Sequence, residues 1–383
     1  MQIWVIGRGI PSKENNMLGS FEFEQAKMLA QRGYEVYYPI IDLRSIRHRR
    51  KMGLACENVE GVHVVALNVP IGCALPAIIR NRLYAPLHKL QLKALCQRYG
   101  VPNIVNVHYL SLYQYDIYGY LQAQGAKIIG TEHWSKVQNC DLSEGNRRNL
   151  ERFVEKADAI ICVGNELKKA IVQLTKTTRD IQIIPNTVLP IFTYEKPSSE
   201  SQIFRFLAVG RLSKEKGYDR LIQAFCQSFE NRQDVHLDIV GGGPEYKTLQ
   251  EIVLRNHADD RITLHGVMQR NELPQFYHKC NALVMPSDYE TFGVPVIEAM
   301  ACGLPVIVTQ RAGVSHYIDH EKGNVIKDNE VENISEALVD IYNRYSEFDR
   351  QQISEFSKHY FSEDTVFELL KEIFERVTEG EVI

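Results

Sequence analysis

The sequence predicts an α/β fold made of two doubly wound parallel sheets joined by one linker. Three observations carry that expectation. Short apolar runs alternate with helical periodicity almost from end to end, and the connections between them are too long for hairpins. The alternation breaks once, over residues 186–202, where Pro190, Pro197 and two adjacent serines leave little periodicity, and then restarts. At 383 residues the chain exceeds one ordinary core and suits two domains.

In order, residues 3–6 read as a strand, 21–31 as a helix closed by Arg32-Gly33, and 36–41 and 62–67 as strands. A long apolar-periodic segment, 77–99, ends at Gly100. Strands 104–107, 127–130, 159–163 and 181–184 then alternate with helices 112–122, 147–156 and 166–174. Past the linker come strand 204–209, helix 218–229, strand 235–240, helix 245–255 and strand 262–264; the last helix spans 361–377. In helix 218–229, Tyr218, Leu221, Ile222, Phe225 and Phe229 share one face, which is ordinary core packing. Tyr109, Tyr113, Tyr115, Tyr118 and Tyr120 read as core rather than as a platform for sugar stacking. Gly241 to Gly243 read as a tight strand-to-helix turn.

Composition narrows the class. Hydrophobic residues make up 44% and charged residues 24%, ordinary for a globular chain, and no window approaches the ~18 apolar residues of a membrane span. The opening MQIWVIG has no basic segment ahead of it and reads as a first strand, not a secretory signal. Eight cysteines with no C-x-x-C pair favour reduced thiols and a cytoplasmic setting. The net charge of −4 is uneven: residues 1–190 hold 24 Lys and Arg against 16 Asp and Glu, and residues 191–383 hold 20 against 32. The basic half includes Arg44, Arg47, Arg49, Arg50 and Lys51, then Arg80, Arg82, Lys89, Lys93 and Arg98. Such a face suits an anionic membrane surface or a phosphorylated acceptor, and equally a solvated loop and helix.

Two stretches concentrate the chemistry. Over 285–309, MPSDYETFGVPVIEAMACGLPVIVT, a buried strand at 281–285 leads through Gly293 and Pro295 into a helix, 296–302, stopped by Gly303; a second strand, 305–308, follows. A strand that hands its chain through a glycine turn to a helix N-terminus presents unpaired N–H groups and a positive dipole end to an anion. Glu290 and Glu298 bracket that turn. After the linker, VGRLSKEKG places Arg211 and Lys216 in a glycine-flanked loop, where two cations can hold a diphosphate and stabilise it as a leaving group. Lys214 between them goes to solvent.

GRLSKEKGYDRLIQAF, LDIVGGGPE, LHGVMQRNEL and the 285–309 stretch, in that order, resemble the C-terminal domain of GT-B fold retaining nucleotide-sugar glycosyltransferases of family 4, over about residues 203–330. Upstream, Gly19-Ser20, Thr131-Glu132-His133-Trp134 and Ile183-Ile184-Pro185-Asn186 are similar to its first loop, its histidine segment and its pre-linker strand. The resemblance implies two Rossmann-like domains facing across a cleft: an acceptor domain over 1–190, a nucleotide-sugar domain over 203–360, and a C-terminal helix over 361–383 packing back on the first. It implies Arg211 and Lys216 on the diphosphate, Glu298 on the ribose, Glu290 near the donor sugar, and the N–H groups of Gly293 and Val294 on the distal phosphate. It further implies that His133 lines the reaction centre, that the backbone of Gly266 and Val267 meets the nucleobase, and that Gly19 belongs to the phosphate loop. Ser20 departs from the family's paired glycine there, and its Cβ limits close backbone approach.

No Asp-x-Asp follows a strand, so no metal and no other cofactor is expected, and the cations take that place. The implied enzyme is a hexosyltransferase that moves a UDP- or GDP-linked sugar to a glycan or lipid-linked acceptor in polysaccharide biosynthesis of the bacterial cell surface. Peripheral contact with the inner membrane face is expected, and nucleic acid is not. A sugar-nucleotide epimerase, a transferase to a small soluble acceptor and a silent nucleotide-sugar binder remain open readings.

Overall fold

A computed structural model describes residues 1–10, 19–43, 51–69, 77–196 and 202–381. The chain divides into two compact units, one of residues 1–184 with 367–383, the other of residues 185–366. Arg44, Arg47, Arg49 and Arg50 of the basic cluster lie outside the described residues, as do residues 197–201 of the expected linker and the side chains of Ser20, Arg80 and Arg82.

The first unit runs β1 (Gln2–Ile6), α1 (Ser20–Gln31), β2 (Glu35–Asp42), β3 (Gly53–Val59), β4 (Val62–Asn68), α2 (Ala77–Tyr99), β5 (Ile104–His108), α3 (Asp116–Gln122), β6 (Lys127–Glu132), α4 (Ser135–Gln138), α5 (Glu144–Lys156), β7 (Ala159–Cys162), α6 (Asn165–Thr175) and β8 (Gln182–Ile183). Its sheet has the order β3-β4-β2-β1-β5-β6-β7-β8, parallel except for the β3–β4 hairpin. Apolar runs such as Ile3 to Ile6 are wholly buried because helices cover both faces of a parallel sheet.

β3 carries little apolar signal, since GLACENV is mostly exposed at the sheet edge, and the sequence pattern does not mark it. Its turn does have a signature: Glu60 and Gly61 both hold positive φ, 50° and 87°, as a two-residue hairpin of right-handed twist requires. The helix expected over 112–122 is shorter than its tyrosine periodicity suggested. Tyr109 in left-handed backbone and Tyr113 in extended backbone confine a 3-10 turn at Leu110–Leu112, and the α-helix starts only at Asp116. Tyr113 and Tyr118 are core residues, as their pattern implied.

The second unit runs β9 (Phe204–Val209), α7 (Tyr218–Ser228), β10 (Val235–Val240), α8 (Tyr246–Arg255), β11 (Ile262–Gly266), α9 (Leu273–His278), β12 (Ala282–Met285), α10 (Val294–Ala301), β13 (Val306–Thr309), β14 (Gly323–Ile326), α11 (Val331–Asn343) and α12 (Arg350–Phe361). Its all-parallel sheet has the order β11-β10-β9-β12-β13-β14. α10 begins two residues earlier than the spacing predicts, since Pro295 in a first turn lacks only an N–H that would be unpaired anyway. α12 braces it from behind: Ser354 and Ser357 hydroxyls donate to Ala301 O at 2.6 Å and Ile297 O at 2.8 Å.

The final helix expected over 361–377 does not begin at Phe361, which is the last residue of α12, but two residues later. Ser362 adopts extended backbone and ends α12, and its hydroxyl accepts from Thr365 N at 3.3 Å to start α13 (Glu363–Thr378). Nor is 186–196 a loose linker. Phe192 is buried, its ring 5.7 Å from Tyr277, and Thr193 O meets His278 Nε2 at 2.6 Å. No helix among the described residues is long and apolar enough to cross a membrane.

Candidate active site

In the second unit strand order reverses at β9, which lies between β10 and β12, so the loops leaving the carboxyl ends of β9 and β12 emerge side by side. The backbone ties them: Asp288 N donates to Glu215 O at 2.7 Å. Arg220 then clamps the pair, donating to Asp288 Oδ2 at 3.0 Å and Asn329 Oδ1 at 2.9 Å, while Asn329 Nδ2 donates to Pro286 O at 2.9 Å. Gly217, at φ 66°, lets the first loop close against the second; a Cβ there would stand 2.5 Å from Pro286 O.

Those two loops bring Lys216 and Glu290 into an ion pair across 74 residues of sequence, Lys216 Nζ donating to Glu290 Oε2. Three residues on, Gly293 at φ 111° opens α10 with no side-chain cap; Pro295 has no N–H and Val296 N donates to Gly293 O at 2.9 Å, which leaves the N–H groups of Gly293 and Val294 without a partner among the described residues. Arg211 and Lys214 of the same loop are exposed.

Glu298 sits apart from that pair. The residue is 4% exposed, its carboxylate accepting from Arg270 Nη2 at 3.1 Å and Tyr277 OH at 3.3 Å. Burial pushes its pKa up and Arg270 opposes that shift. Arg270 was legible only as part of LHGVMQRNEL, and Tyr277 was not singled out, since neither has a pattern of its own. The run Gly241 to Gly243 is a tight turn, with Gly241 N donating to Gly266 O at 2.8 Å and Leu212 N to Gly242 O at 2.9 Å. Beyond it Gly266 ends β11 and the Val267 side chain is 75% exposed, an apolar surface open to a ligand.

The first unit gathers a second group at the carboxyl ends of β1, β5 and β6. His133 Nε2 lies 2.9 Å from His108 Nδ1, with the rings stacked. The hydrogen-bond network assigns the tautomers. Asn106 Oδ1 accepts from Thr131 Oγ1 at 2.8 Å, so its amide nitrogen faces Gln25 Oε1 at 2.7 Å and His108 Nε2 at 3.3 Å. His108 Nε2 is then an acceptor, His108 Nδ1–H donates to His133, and the remaining proton of His133 is on Nδ1. That nitrogen is buried and has no partner among the described residues. Burial lowers both histidines to about 3, helped at His133 by His108 and at both by Arg8, so both rings are neutral at ordinary pH.

Glu132 anchors the segment from below. It is fully buried, and Oε1 accepts from His133 N and Trp134 N, both at 2.9 Å. Burial pushes it up to about 7 against those backbone bonds. Gly19, at φ 70°, opens α1 so close to the β1 loop that a Cβ would stand 1.9 Å from Gly9 O. His108, Asn106 and Arg8 were not singled out from the sequence; the one signal there was the polar Asn106 inside an otherwise apolar strand.

Two Rossmann-like units, each with its polar groups at the carboxyl ends of the strands, define a GT-B enzyme. Residues 23–189 match the family model of Glycosyltransferase Family 4, and residues 194–359 that of Glycosyl transferases group 1. The chain belongs to this glycosyltransferase family and is a hexosyltransferase-type enzyme. N-acetyl-alpha-D-glucosaminyl L-malate synthase of Bacillus anthracis is 26% identical over 309 residues, 78% of this chain and 76% of that protein. In structure the chain is similar to sucrose-phosphate synthase from Thermosynechococcus elongatus, with TM-score 0.78, 20% identity and 99% of both chains covered. It is also similar to Anabaena HepE in complex with UDP and glucose, with TM-score 0.72, 17% identity, and 98% of this chain and 99% of that one covered.

Proposed function

We propose that the chain is a retaining, metal-independent transferase that takes a sugar from a UDP- or GDP-linked donor, held by the second unit, to an acceptor hydroxyl held by the first. The observation that carries this reading is the Lys216–Glu290 pair beside the uncapped start of α10. A cation, a carboxylate and outward N–H groups at one switch point match what a glycosyl diphosphate presents: an anionic leaving group next to a carbon that gains positive charge.

On binding, Lys216 and Arg211 turn to the diphosphate and Gly293 and Val294 N–H groups meet its distal phosphate. Glu290, released from Lys216, fixes the sugar. Glu298 exchanges Tyr277 or Arg270 for the ribose hydroxyls, a task suited to an acceptor-only carboxylate, and the base rests along Gly266 and Val267. In the reaction the bond from the anomeric carbon to the phosphate oxygen breaks, and the acceptor oxygen bonds to that carbon on the same face. The acceptor proton passes to the leaving phosphate, and nucleoside diphosphate departs. His133, neutral, donates its Nδ1–H to a substrate oxygen and is no general base. Lys216 and Arg211 do the work a metal would do elsewhere.

The HepE complex with UDP and glucose supports a nucleotide-sugar donor. A lipid-linked saccharide of cell-surface polysaccharide synthesis, met at the inner membrane face, is the acceptor we infer; the excess of Lys and Arg in residues 1–190 and exposed Lys89 and Lys93 around exposed Leu90 on α2 support it. The test is incubation with UDP- and GDP-sugars, with and without acceptors, reading nucleoside diphosphate release and anomeric configuration. Acceptor-dependent release with an α-linked product from an α-donor is expected, unaffected by chelators. Donor interconversion without release identifies an epimerase, and no release with any donor a silent binder.

A further inference from the structure

We propose that Arg8 is the anion-recognising group of the acceptor site, taking a phosphate or carboxylate borne by the acceptor; this deepens the transferase reading and rests on it. Arg8 follows β1, on either side of which strand order runs away to β2 and β5, so it stands at the switch point of the first sheet. Its guanidinium lies over the Tyr109 ring, Cζ 3.7 Å from the centroid. Tyr109 holds that position in left-handed backbone, at φ 61°, a conformation unfavourable for a bulky side chain. The same ring lies 5.4 Å from that of His133, so Tyr109 joins the arginine to the histidine whose Nδ1–H has no partner.

A simpler role for Arg8 would be to neutralise Glu22, which is 0% exposed. The geometry goes beyond that role. A guanidinium that serves a buried carboxylate frequently meets both its oxygens with two parallel N–H groups. Here Nε, at 3.1 Å, and the Arg8 backbone N, at 3.3 Å, both converge on Glu22 Oε1, while Glu22 Oε2 is buried without a partner. The terminal Nη1 and Nη2 groups make no hydrogen bond among the described residues, and the side chain is 29% exposed. Glu22 therefore grips the stem edge of the guanidinium, Tyr109 supports its face, and the outer fork is presented pre-oriented. Such a fork fits two oxygens of one phosphate or carboxylate, and a lysine cannot reproduce it. A phosphate ester in solution and a lipid headgroup offer the same two oxygens.

The experiment is calorimetric titration of the full chain with matched probes: glucose 6-phosphate against glucose, L-malate against its dimethyl ester, and dioctanoyl phosphatidylinositol against dioctanoylglycerol. Saturating UDP or GDP occupies the diphosphate site of the second unit throughout. At least one anionic probe is expected to bind about tenfold or more tightly than its neutral counterpart, and Arg8→Lys, which keeps the charge beside Glu22, to lose about tenfold of that preference. Arg8→Gln should lose all of it, with the nucleoside diphosphate affinity of both variants unchanged and the melting temperature of Arg8→Lys close to that of the native chain. Preference for the phosphatidylinositol marks a headgroup, and preference for glucose 6-phosphate or malate a soluble acceptor. Absence of any anionic preference in the native chain, or its persistence in both variants, overturns the assignment. Failure of UDP and GDP to bind sinks the donor reading instead, and the anion titrations still decide on Arg8.

Discussion

Asn106 decides which nitrogen of His133 carries a proton although it never touches that ring. Its amide can donate to His108 Nε2; a carboxylate can only accept. Asn106→Asp should therefore move the His108 proton to Nε2 and the His133 proton to Nε2, leaving Nδ1 a lone pair. Ring nitrogen shifts in ¹⁵N NMR would show the exchange, and turnover should fall by about tenfold or more with nucleotide affinity kept. An unchanged His133 tautomer would refute the relay. Glu132 offers a second residue-level test. Its carboxyl, at about 7 in the fold against roughly 4.5 unfolded, keeps its proton where the unfolded chain has lost it, so its contribution falls as pH rises from about 4.5 to about 7 and is flat above. Glu132→Gln has no such dependence, and its stability relative to the native chain should rise across that window by about 3 kcal/mol. The lowered histidines act in the opposite sense, losing stability as pH falls from about 6.5 towards 3, and cancel in the difference. Denaturant melts at pH 5 and pH 8 would check it; a constant difference would mean Glu132 is ionised throughout.

At the scale of elements, the candidate site depends on two loops closing against each other, and Gly217 is the tightest point. Gly217→Ala would place a methyl 2.5 Å from a carbonyl oxygen at a backbone angle that already costs an L-residue about 1 kcal/mol. A loss of about 2 kcal/mol or more in stability is expected, with a larger fall in donor affinity than in affinity for the acceptor probes; a neutral result in both would show the loops to be independent. These loops were legible because strand ends, glycines and charged side chains lie adjacent in sequence: Lys216 and Glu290 could each be named without seeing the pair. The bracing could not. Arg220, Asp288 and Asn329 look like ordinary surface residues, and only the parallel crossovers bring Asn329 within reach of Pro286. β3 was illegible for another reason: an exposed edge strand needs no apolar alternation, and its pairing is decided by the Glu60-Gly61 turn.

For the molecule as a whole, the α/β alternation and the break near residue 190 were readable because a parallel sheet buried on both faces demands apolar strands and long crossovers. The first unit's site was harder to read. A histidine, an asparagine and an arginine acquire meaning from the switch point of a sheet whose order, with β1 between β2 and β5, is not written in any local pattern. The resemblance reached Glu290, Glu298 and His133 by position; hydrogen bonding revealed that Glu298 already has Arg270 and Tyr277 as partners, and that His133 is one end of a network of five residues with His108, Asn106, Gln25 and Thr131.

The division of the chain also bears on its synthesis. Residues 1–184 emerge first, yet the unit they build includes 367–383, where Phe367 lies 6.0 Å from the Tyr34 ring and 4.8 Å from the Arg32 guanidinium. A ribosome that has made residues 1–184 has thus made a unit still lacking one of its helical segments, and it must finish the entire second unit before supplying it. Tyr34 waits for Phe367, more than 300 residues later, so its native packing is a late event that follows translation of the second unit.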